Sequence, residues 1–516
     1  MELRTPSPVA SSLSTRLTER EQNDIEHSHS ENPNRQQIDR YLNFITSLAF
    51  STALLASWET TGGGLLAGLY NGGPAVIVYG LIVSIMGNMA IAMSLAELAS
   101  VVDIQPLGHS IIGLMSLRRV FRGWITVFSW SALVCIAPFF IGTQIEGMIV
   151  LAYPEYEPQG WRITLLMWAV VILPIMVNIF VRQVLATIEI VAGLMHVLFL
   201  PIIVGIVVRD ALRSADSFVW GTFNSGLSGW GDKGVVFSIG LLGVITPLSG
   251  VDGIIHMAEE VKNARVAIPR SMVWGTLING LMAFGYAVGI LYFMGNYAEA
   301  LMTPTGYPII EIAYQATGSK TATFLLMAAG MLPGWIAFFN GLASVTRLTW
   351  AFARDNGLPF SDFFVKVDRR VMIPLRALFL VTSWIFALSF IQTGSNMAFN
   401  AILSLNALGL YISYLFPLVF LVVKRIVDPA GVSRGAFSLG RWGLPLNVVA
   451  IVFAAYFAIF LPFPPTIPAN PENMNFAGPV LGFIMFCACV VWAFRGRHRW
   501  NGPTKWRILG AERGAQ

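Results

Sequence analysis

Apolar residues run along this chain in about twelve stretches separated by short polar segments. A bilayer crossing needs about 20 predominantly apolar residues. By that measure the spans fall at roughly 44–70, 74–99, 124–151, 162–181, 184–208, 234–257, 269–294, 321–350, 374–392, 396–423, 443–462 and 476–495. Only Arg182-Gln183 divides the fourth from the fifth. The pattern predicts an all-α membrane protein of twelve transmembrane helices. Residues 1–38 are polar and too poor in apolar groups to fold, so they read as a disordered N-terminal tail. Residues 39–500 read as one twelve-helix domain and 501–516 as a C-terminal tail. With no cleavable leader pattern, the first span is expected to serve as its own insertion signal.

Two of these runs are interrupted by residues that cannot hold a helix together. The first interruption is Ser57-Trp58-Glu59-Thr60-Thr61-Gly62-Gly63-Gly64, and the second is Thr246-Pro247-Leu248-Ser249-Gly250-Val251-Asp252-Gly253. A broken helix at bilayer depth strands N–H and C=O groups that lipid cannot satisfy, so it survives only under protein cover or beside a wet cavity. Two such breaks five spans apart point to a transporter of inverted repeats with a midplane substrate site. At the first break, amides at the positive end of a half-helix suit a substrate carboxylate. Gly62, Gly63 and Gly64 either let a ligand approach the backbone or serve helix packing. At the second, Pro247 and Gly250 release carbonyls that suit an ammonium group. The expected substrate site is therefore Ser57, Trp58, Glu59, Thr60, Thr61, Gly62 and Gly63 with Thr246, Pro247, Leu248, Ser249, Gly250, Val251 and Asp252.

Ionisable groups at membrane depth are costly and read as functional. Glu59 and Asp252 lie in the breaks, placed either to meet a cationic substrate group, to carry a proton, or to act as fixed struts. Glu189 and His196 are seven apart in the fifth span, share a helix face, and form a candidate proton relay or a satisfied polar pair. Trp58 offers a ring to a quaternary ammonium or to core packing. Glu146 in the third span is expected either to line the outer vestibule or to be an ordinary polar surface residue. Glu97, Glu259 and Glu260 lie at span ends, where they either pair with Arg347 or Arg354 to close an inner gate or serve as solvated helix ends. After Tyr297, Ile309, Ile310, Ile312, Ala313 and Ala316 recur at helical spacing and predict a short amphipathic helix over the outer mouth.

Composition narrows the class. Of 516 residues, 55% are hydrophobic and only 12% charged, about half the charge of a soluble domain. The formal net charge of +5 is no nucleic-acid signal, because the basic residues sit in short connections. One alternate set carries Arg118, Arg119, Arg122, Arg182, Lys262, Arg265, Arg354, Arg369, Arg370 and Lys424 among others. The other carries Arg162, Arg209, Arg213, Lys233 and Lys320. The positive-inside rule makes the richer set cytoplasmic and puts both termini there. Cys135, Cys487 and Cys489 lie in apolar spans as small hydrophobes, and no disulfide, zinc or phosphate-loop spacing is visible. No metal or cofactor is expected, and a membrane enzyme is disfavoured.

Several stretches carry a family likeness. They are Ser57-Trp58-Glu59 with Asn71-Gly72-Gly73-Pro74, Ser94-Leu95-Ala96-Glu97-Leu98-Ala99-Ser100, His256-Met257-Ala258-Glu259-Glu260-Val261-Lys262-Asn263-Ala264, and the run from Arg347 to Pro359. Phe437 to Pro445 and Pro471-Glu472-Asn473-Met474-Asn475 follow. Together, over about residues 40–503, they resemble the amino acid–polyamine–organocation superfamily, and most closely its fungal amino acid/choline permease branch. The resemblance implies a five-plus-five inverted repeat with discontinuous first and sixth helices. It also implies uptake of a small amino acid or amine, usually driven by protons. Some members of the superfamily use a lysine in the fifth span as an internal cation; this chain has none there. It also departs at Gln105-Pro106-Leu107-Gly108-His109-Ser110-Ile111, at Gly250-Val251-Asp252-Gly253 and at Thr305-Gly306-Tyr307-Pro308. The first bears on cytoplasmic gating, and the second removes an aromatic near the site.

The expectation is a multi-pass plasma-membrane permease, a secondary active transporter that moves amino acids or related amines by proton symport and alternating access. The alternatives are a choline-like quaternary amine carrier and a nutrient-sensing receptor that transports little.

Overall fold

A computed structural model of the protein describes residues 40–101, 116–180, 182–368, 370–394, 396–429, 435–470 and 473–496. The two tails, the divergent 105–111 loop and Pro471-Glu472 lie outside the described residues. The described residues are mostly helical. Among the described residues the sole β-type pairing is one parallel bridge, Leu42 to Val261.

The main helices are α1 (Phe44–Leu55), α2 (Ser57–Tyr70), α3 (Gly73–Val101), α4 (Ser116–Ala152), α5 (Gly160–Phe180), α6 (Arg182–Asp210), α7 (Lys233–Ile245) and α8 (Gly253–His256). They continue as α9 (Ala264–Tyr292), α10 (Pro308–Thr317), α11 (Lys320–Arg354), α12 (Leu375–Gly394), α13 (Asn396–Val427), α14 (Gly443–Phe460) and α15 (Ala477–Val491). Among the described residues, eleven helices are long and apolar enough to cross a membrane, with α7 to α8 counted as one crossing, Lys233–His256. The remaining crossing is α1 with α2. At 12 and 14 residues, each half spans only about 20 Å at 1.5 Å per residue, short of the roughly 30 Å hydrocarbon core. Stacked, they make the twelfth crossing. The protein is thus an all-α membrane protein of twelve crossings, and its discontinuous ones are the first and the sixth.

α10 is the amphipathic helix expected from the isoleucine spacing: Ile309, Ile310, Ile312, Ala313 and Ala316 are all buried. In contrast, α5 and α6 leave Ile172, Met176, Leu194 and Leu198 exposed, an apolar surface that suits acyl chains. The end of the bundle carrying the Arg- and Lys-rich turns is termed the inner end below.

The two broken crossings touch through glycine. A Cβ on Gly64 of α2 would lie 2.5 Å from the Gly243 carbonyl of α7. Gly243 in turn faces the Gly64 carbonyl and the Gly68 amide at 3.1 Å. No side chain fits between these backbones, so Gly64 belongs to helix packing. Gly64→Ala is expected to cost about 1–3 kcal/mol through overpacking against immovable backbone. It should lower the melting temperature of the detergent-solubilised protein. Gly205→Ala, on α6 with nothing within 4 Å, should leave it unchanged; equal melting temperatures for the two variants would refute the packing role.

Candidate functional site

The first interruption is one residue long and lies just upstream of the expected one. Ala56 adopts the left-handed conformation (φ 43°, ψ 49°), and the whole of Ser57 to Gly64 is helical. For an L-residue this conformation costs roughly 1–2 kcal/mol, so the surroundings must hold it. Asn279 of α9 does so. Its Nδ2 donates to the Thr52 carbonyl at 2.9 Å, and its Oδ1 accepts from the Ser57 amide at 3.3 Å. Ser57 Oγ donates to the Asn279 carbonyl at 2.9 Å. Groups freed on both sides of the kink are thus satisfied by one buried side chain. The next amides, of Trp58 and Glu59, fall in the first turn of α2, where no intrahelical acceptor exists.

The second interruption follows the expected sequence. α7 tightens into a 3-10 turn at Thr246–Leu248, Ser249 is extended, and Gly250 turns with φ +90°, a region open to glycine. The carbonyls are less free than the proline and glycine pattern suggests. Ser249 Oγ donates to Ile245 O at 3.2 Å, Ser249 N to Thr246 O at 3.0 Å, and Gly253 N to Gly250 O at 3.1 Å.

A cavity of ≈ 120 Å³ lies between the two breaks. Of the residues expected in the site, Trp58, Glu59, Thr60, Gly62, Thr246, Ser249 and Gly250 line it. Ser57 and Thr61 instead bond backbone, Thr61 Oγ1 donating to Ser57 O at 2.7 Å. Gly63 packs against the Phe140 ring, and Pro247, Leu248 and Val251 face into the protein core rather than the cavity. Trp130, Phe140, Tyr286, Phe338 and Gln144 are also in the wall. None of these was singled out from the sequence, since an aromatic or glutamine in an apolar span reads as ordinary core. Trp130 fills the space beside Gly250 and Gly253, so an aromatic from α4 stands where the sixth span lacks one.

The carboxylates divide by environment. Glu59 Oε1 lies 2.7 Å from His196 Nδ1, with both side chains more than nine-tenths buried. Trp58 Nε1 donates to the His196 carbonyl at 2.9 Å. Glu59 Oε2 and His196 Nε2 have no protein partner. The expected Glu189–His196 pair does not form. Seven residues bring two side chains to one face but set them about 10 Å apart along the axis, so His196 meets Glu59 instead. Glu189 stands in the field of Glu260 and Arg347. Asp252 is not at the cavity wall. Its Oδ1 accepts from Tyr414 at 2.5 Å, and Oδ2 faces Trp130 Nε1 at 3.4 Å and His256 Nε2 at 3.5 Å. His256 continues to Ser344 at 2.9 Å. This geometry is that of a strut tying the α8 turn to α4, α11 and α13. Glu146 accepts from Tyr156 OH at 3.2 Å and the Gln159 amide at 3.3 Å, which fixes the start of α5.

At the inner end Arg347 Nε donates to Glu260 at 2.8 Å and Arg354 to Glu259 at 2.8 Å. Glu97 takes a different partner from the one expected. It pairs with Arg425 of α13 and accepts from the Leu439 amide at 3.0 Å, binding α3 to the α13–α14 connection. Arg122, counted above among loop cations, is buried on α4 in the field of Asp252 and Tyr414. Ahead of α1, the amides of Tyr41 and Leu42 donate to Glu260 O at 3.0 Å, and the Lys262 amide donates to Leu42 O at 2.7 Å. Among the described residues, no group of His, Cys, Asp and Glu could hold a metal ion.

Broken first and sixth crossings around a shared small cavity define a membrane transporter. The sequence profile of the family described as amino acid permease matches residues 42–486, and the chain belongs to that family. It is 29% identical over 437 residues to a protein of Macrophomina phaseolina provisionally named an amino acid/polyamine transporter, covering 83% of this chain and 96% of that one. It is 26% identical over 471 residues to the choline transporter of Saccharomyces cerevisiae (88% and 81% covered). It is also 26% identical over 493 residues to the amino-acid permease BAT1 of Arabidopsis thaliana (91% and 94% covered).

One group just past α11 was not anticipated. Burial pushes the Asp355 carboxyl up to about 7; neighbouring Arg354 pulls it down and Glu259 raises it. Its folded value lies above its unfolded one. The folded state therefore holds a proton that the unfolded state has lost between about pH 4 and 7. Stability from this group is full below that window, falls through it, and is flat above. Asp355→Asn should remove that slope from the melting temperature of the purified protein between pH 4.5 and 7.5; an unchanged slope would show that other groups set it.

Proposed function

We propose that the protein is a proton-coupled secondary transporter that carries an amino acid or related small amine across the plasma membrane by alternating access. The observation that carries this reading is Glu59 at the cavity wall, paired with the buried His196. One carboxylate oxygen is held by the imidazole at 2.7 Å, and the other has no protein partner. In this mechanism a proton taken up from outside resides on the pair. The unpaired oxygen and the surrounding rings accept the substrate ammonium, and the Trp58 and Glu59 amides of the α2 terminus receive a carboxylate. Opening of the Glu259–Arg354 and Glu260–Arg347 ion pairs then admits the substrate to the cytoplasm, where we also place the two tails.

A second reading has support from the cavity wall. Trp58, Trp130, Phe140, Tyr286 and Phe338 all line the cavity, and aromatic faces around a carboxylate suit a quaternary ammonium, the kind of cation the yeast relative's name specifies. Competition separates the two readings. Radiolabelled GABA, choline, neutral amino acids and putrescine would be offered to cells lacking their own permeases. Mutual competition by carboxylate-bearing compounds supports the first reading, and their failure against choline supports the second.

Under proton coupling, uptake should rise as the external medium is acidified and collapse with an uncoupler. Uptake that depends on sodium and ignores pH would refute it. Glu59→Gln should lower uptake by at least about tenfold, the loss of one charge-assisted contact, with surface expression intact. Unchanged uptake would remove Glu59 from the site.

A further inference from the structure

α6 and α11 are the fifth and eighth crossings, so they run in opposite directions, and they pack against each other and against α1. Near the inner end Glu189 of α6 stands in the field of Arg347 of α11. Seven residues outward along α6 comes His196, and seven residues outward along α11 comes Asn340. Seven residues are nearly two full turns, so each pair shares a face and each step rises about 10 Å. Two levels result, with Glu189 opposite Arg347 below and His196 level with Asn340 above.

These residues have a second property in common. His196 Nε2, both amide atoms of Asn340, Glu189 Oε2 and Arg347 Nη2 are buried without a protein hydrogen-bond partner. Relative exposure is 0% for His196, 1% for Asn340, 1% for Glu189 and 4% for Arg347. Buried polar atoms are satisfied in over nine cases in ten, by water where protein does not reach. Other buried atoms among the described residues also lack a protein partner, those of Ser84, Asn178 and Asn406 among them, but these follow one helical register from a central carboxylate to an ion-paired gate. Glu59 Oε2, also unpartnered, heads the same file at the cavity.

We propose that this seam between α6 and α11 is a hydrated proton exit, in which His196 passes the coupled proton to Glu189 independently of the path the substrate takes. The proposal rests on proton coupling at Glu59–His196. The balance is simple. The protonated pair holds one proton more than its resting state. The N–H bond at His196 Nε2 breaks, a hydrated chain aligned by the Asn340 amide conveys the proton, and an O–H bond forms on Glu189, which becomes neutral. Glu260, Arg347 and Tyr41 are the titratable groups that act on Glu189, and Glu59 is the group that meets His196. Neutral Glu189 no longer shares Arg347 with Glu260, so proton arrival tightens Arg347 onto Glu260, and release of the proton to the cytoplasm loosens it.

The test uses the full chain reconstituted in vesicles, with whichever compound of the uptake panel the wild type accumulates most. Two readouts are compared: accumulation driven by an imposed pH gradient, and counterflow with no gradient, which needs substrate passage but no net proton transfer. Glu189→Gln and Asn340→Leu should each lower gradient-driven accumulation about tenfold or more, in the range set by losing a positioned proton carrier, while counterflow persists. Asn340→Asp should restore part of it. Wild-type accumulation indifferent to the gradient would defeat proton coupling itself. Wild-type coupling that survives in both variants would overturn the exit seam alone, as would loss of counterflow in step with accumulation. Should Glu189→Gln fail to fold, thiol labelling decides. With Cys487 and Cys489 replaced by serine, Asn340→Cys should react with a small methanethiosulfonate faster than Cys135, which is fully buried on α4. Equal rates would mean a dry seam and overturn the proposal.

Discussion

A peptide group with no partner inside a membrane is the constraint on which this architecture depends. Breaking α1 from α2 at Ala56 frees a carbonyl at Thr52 and an amide at Ser57, each costing several kcal/mol in hydrocarbon if left alone. Asn279, from a different crossing, satisfies both at once and receives Ser57 Oγ on its own carbonyl. The kink is therefore not a local property of residues 53–60. It exists because α9 brings an amide side chain, which can donate and accept together, to that depth. The amides that Asn279 leaves uncovered belong to Trp58 and Glu59, two residues that line the cavity.

The site follows from this economy of partners. Glu59 has one oxygen engaged by His196 and one open, so it is held in place yet remains able to interact. Asp252, which looks equivalent in sequence, has both oxygens occupied by Tyr414, Trp130 and His256. A fully satisfied carboxylate rigidifies the turn it sits in, and a half-satisfied one has capacity left for a solute or a proton. The difference between the two acids lies in neighbours contributed by α4, α6 and α13.

The large elements were legible because lipid imposes a long period: twelve apolar runs and the two interruptions read directly from residue order. What could not be read were relations across helices. Ala carries no signature of a left-handed turn, so the first break was expected at the polar and glycine residues after it, which instead continue as helix and pack Gly64 onto Gly243. A lone Asn279 in an apolar span gives no hint that it caps another helix. Glu97 was expected to meet Arg347 or Arg354 because all lie at inner span ends. Its partner is Arg425, since α3 lies near α13 and α14 and Asn447 steadies that guanidinium at 2.9 Å. The Glu259–Arg354 and Glu260–Arg347 pairs were within reach because α8 and α11 adjoin.

The three backbone bonds joining Tyr41 and Leu42 to Glu260 and Lys262 carry a mechanical consequence. They splice the approach to the first crossing onto the exit from the sixth, as two ropes are splinted side by side. Displacing the inner half of one interrupted crossing without the other would break all three of these bonds.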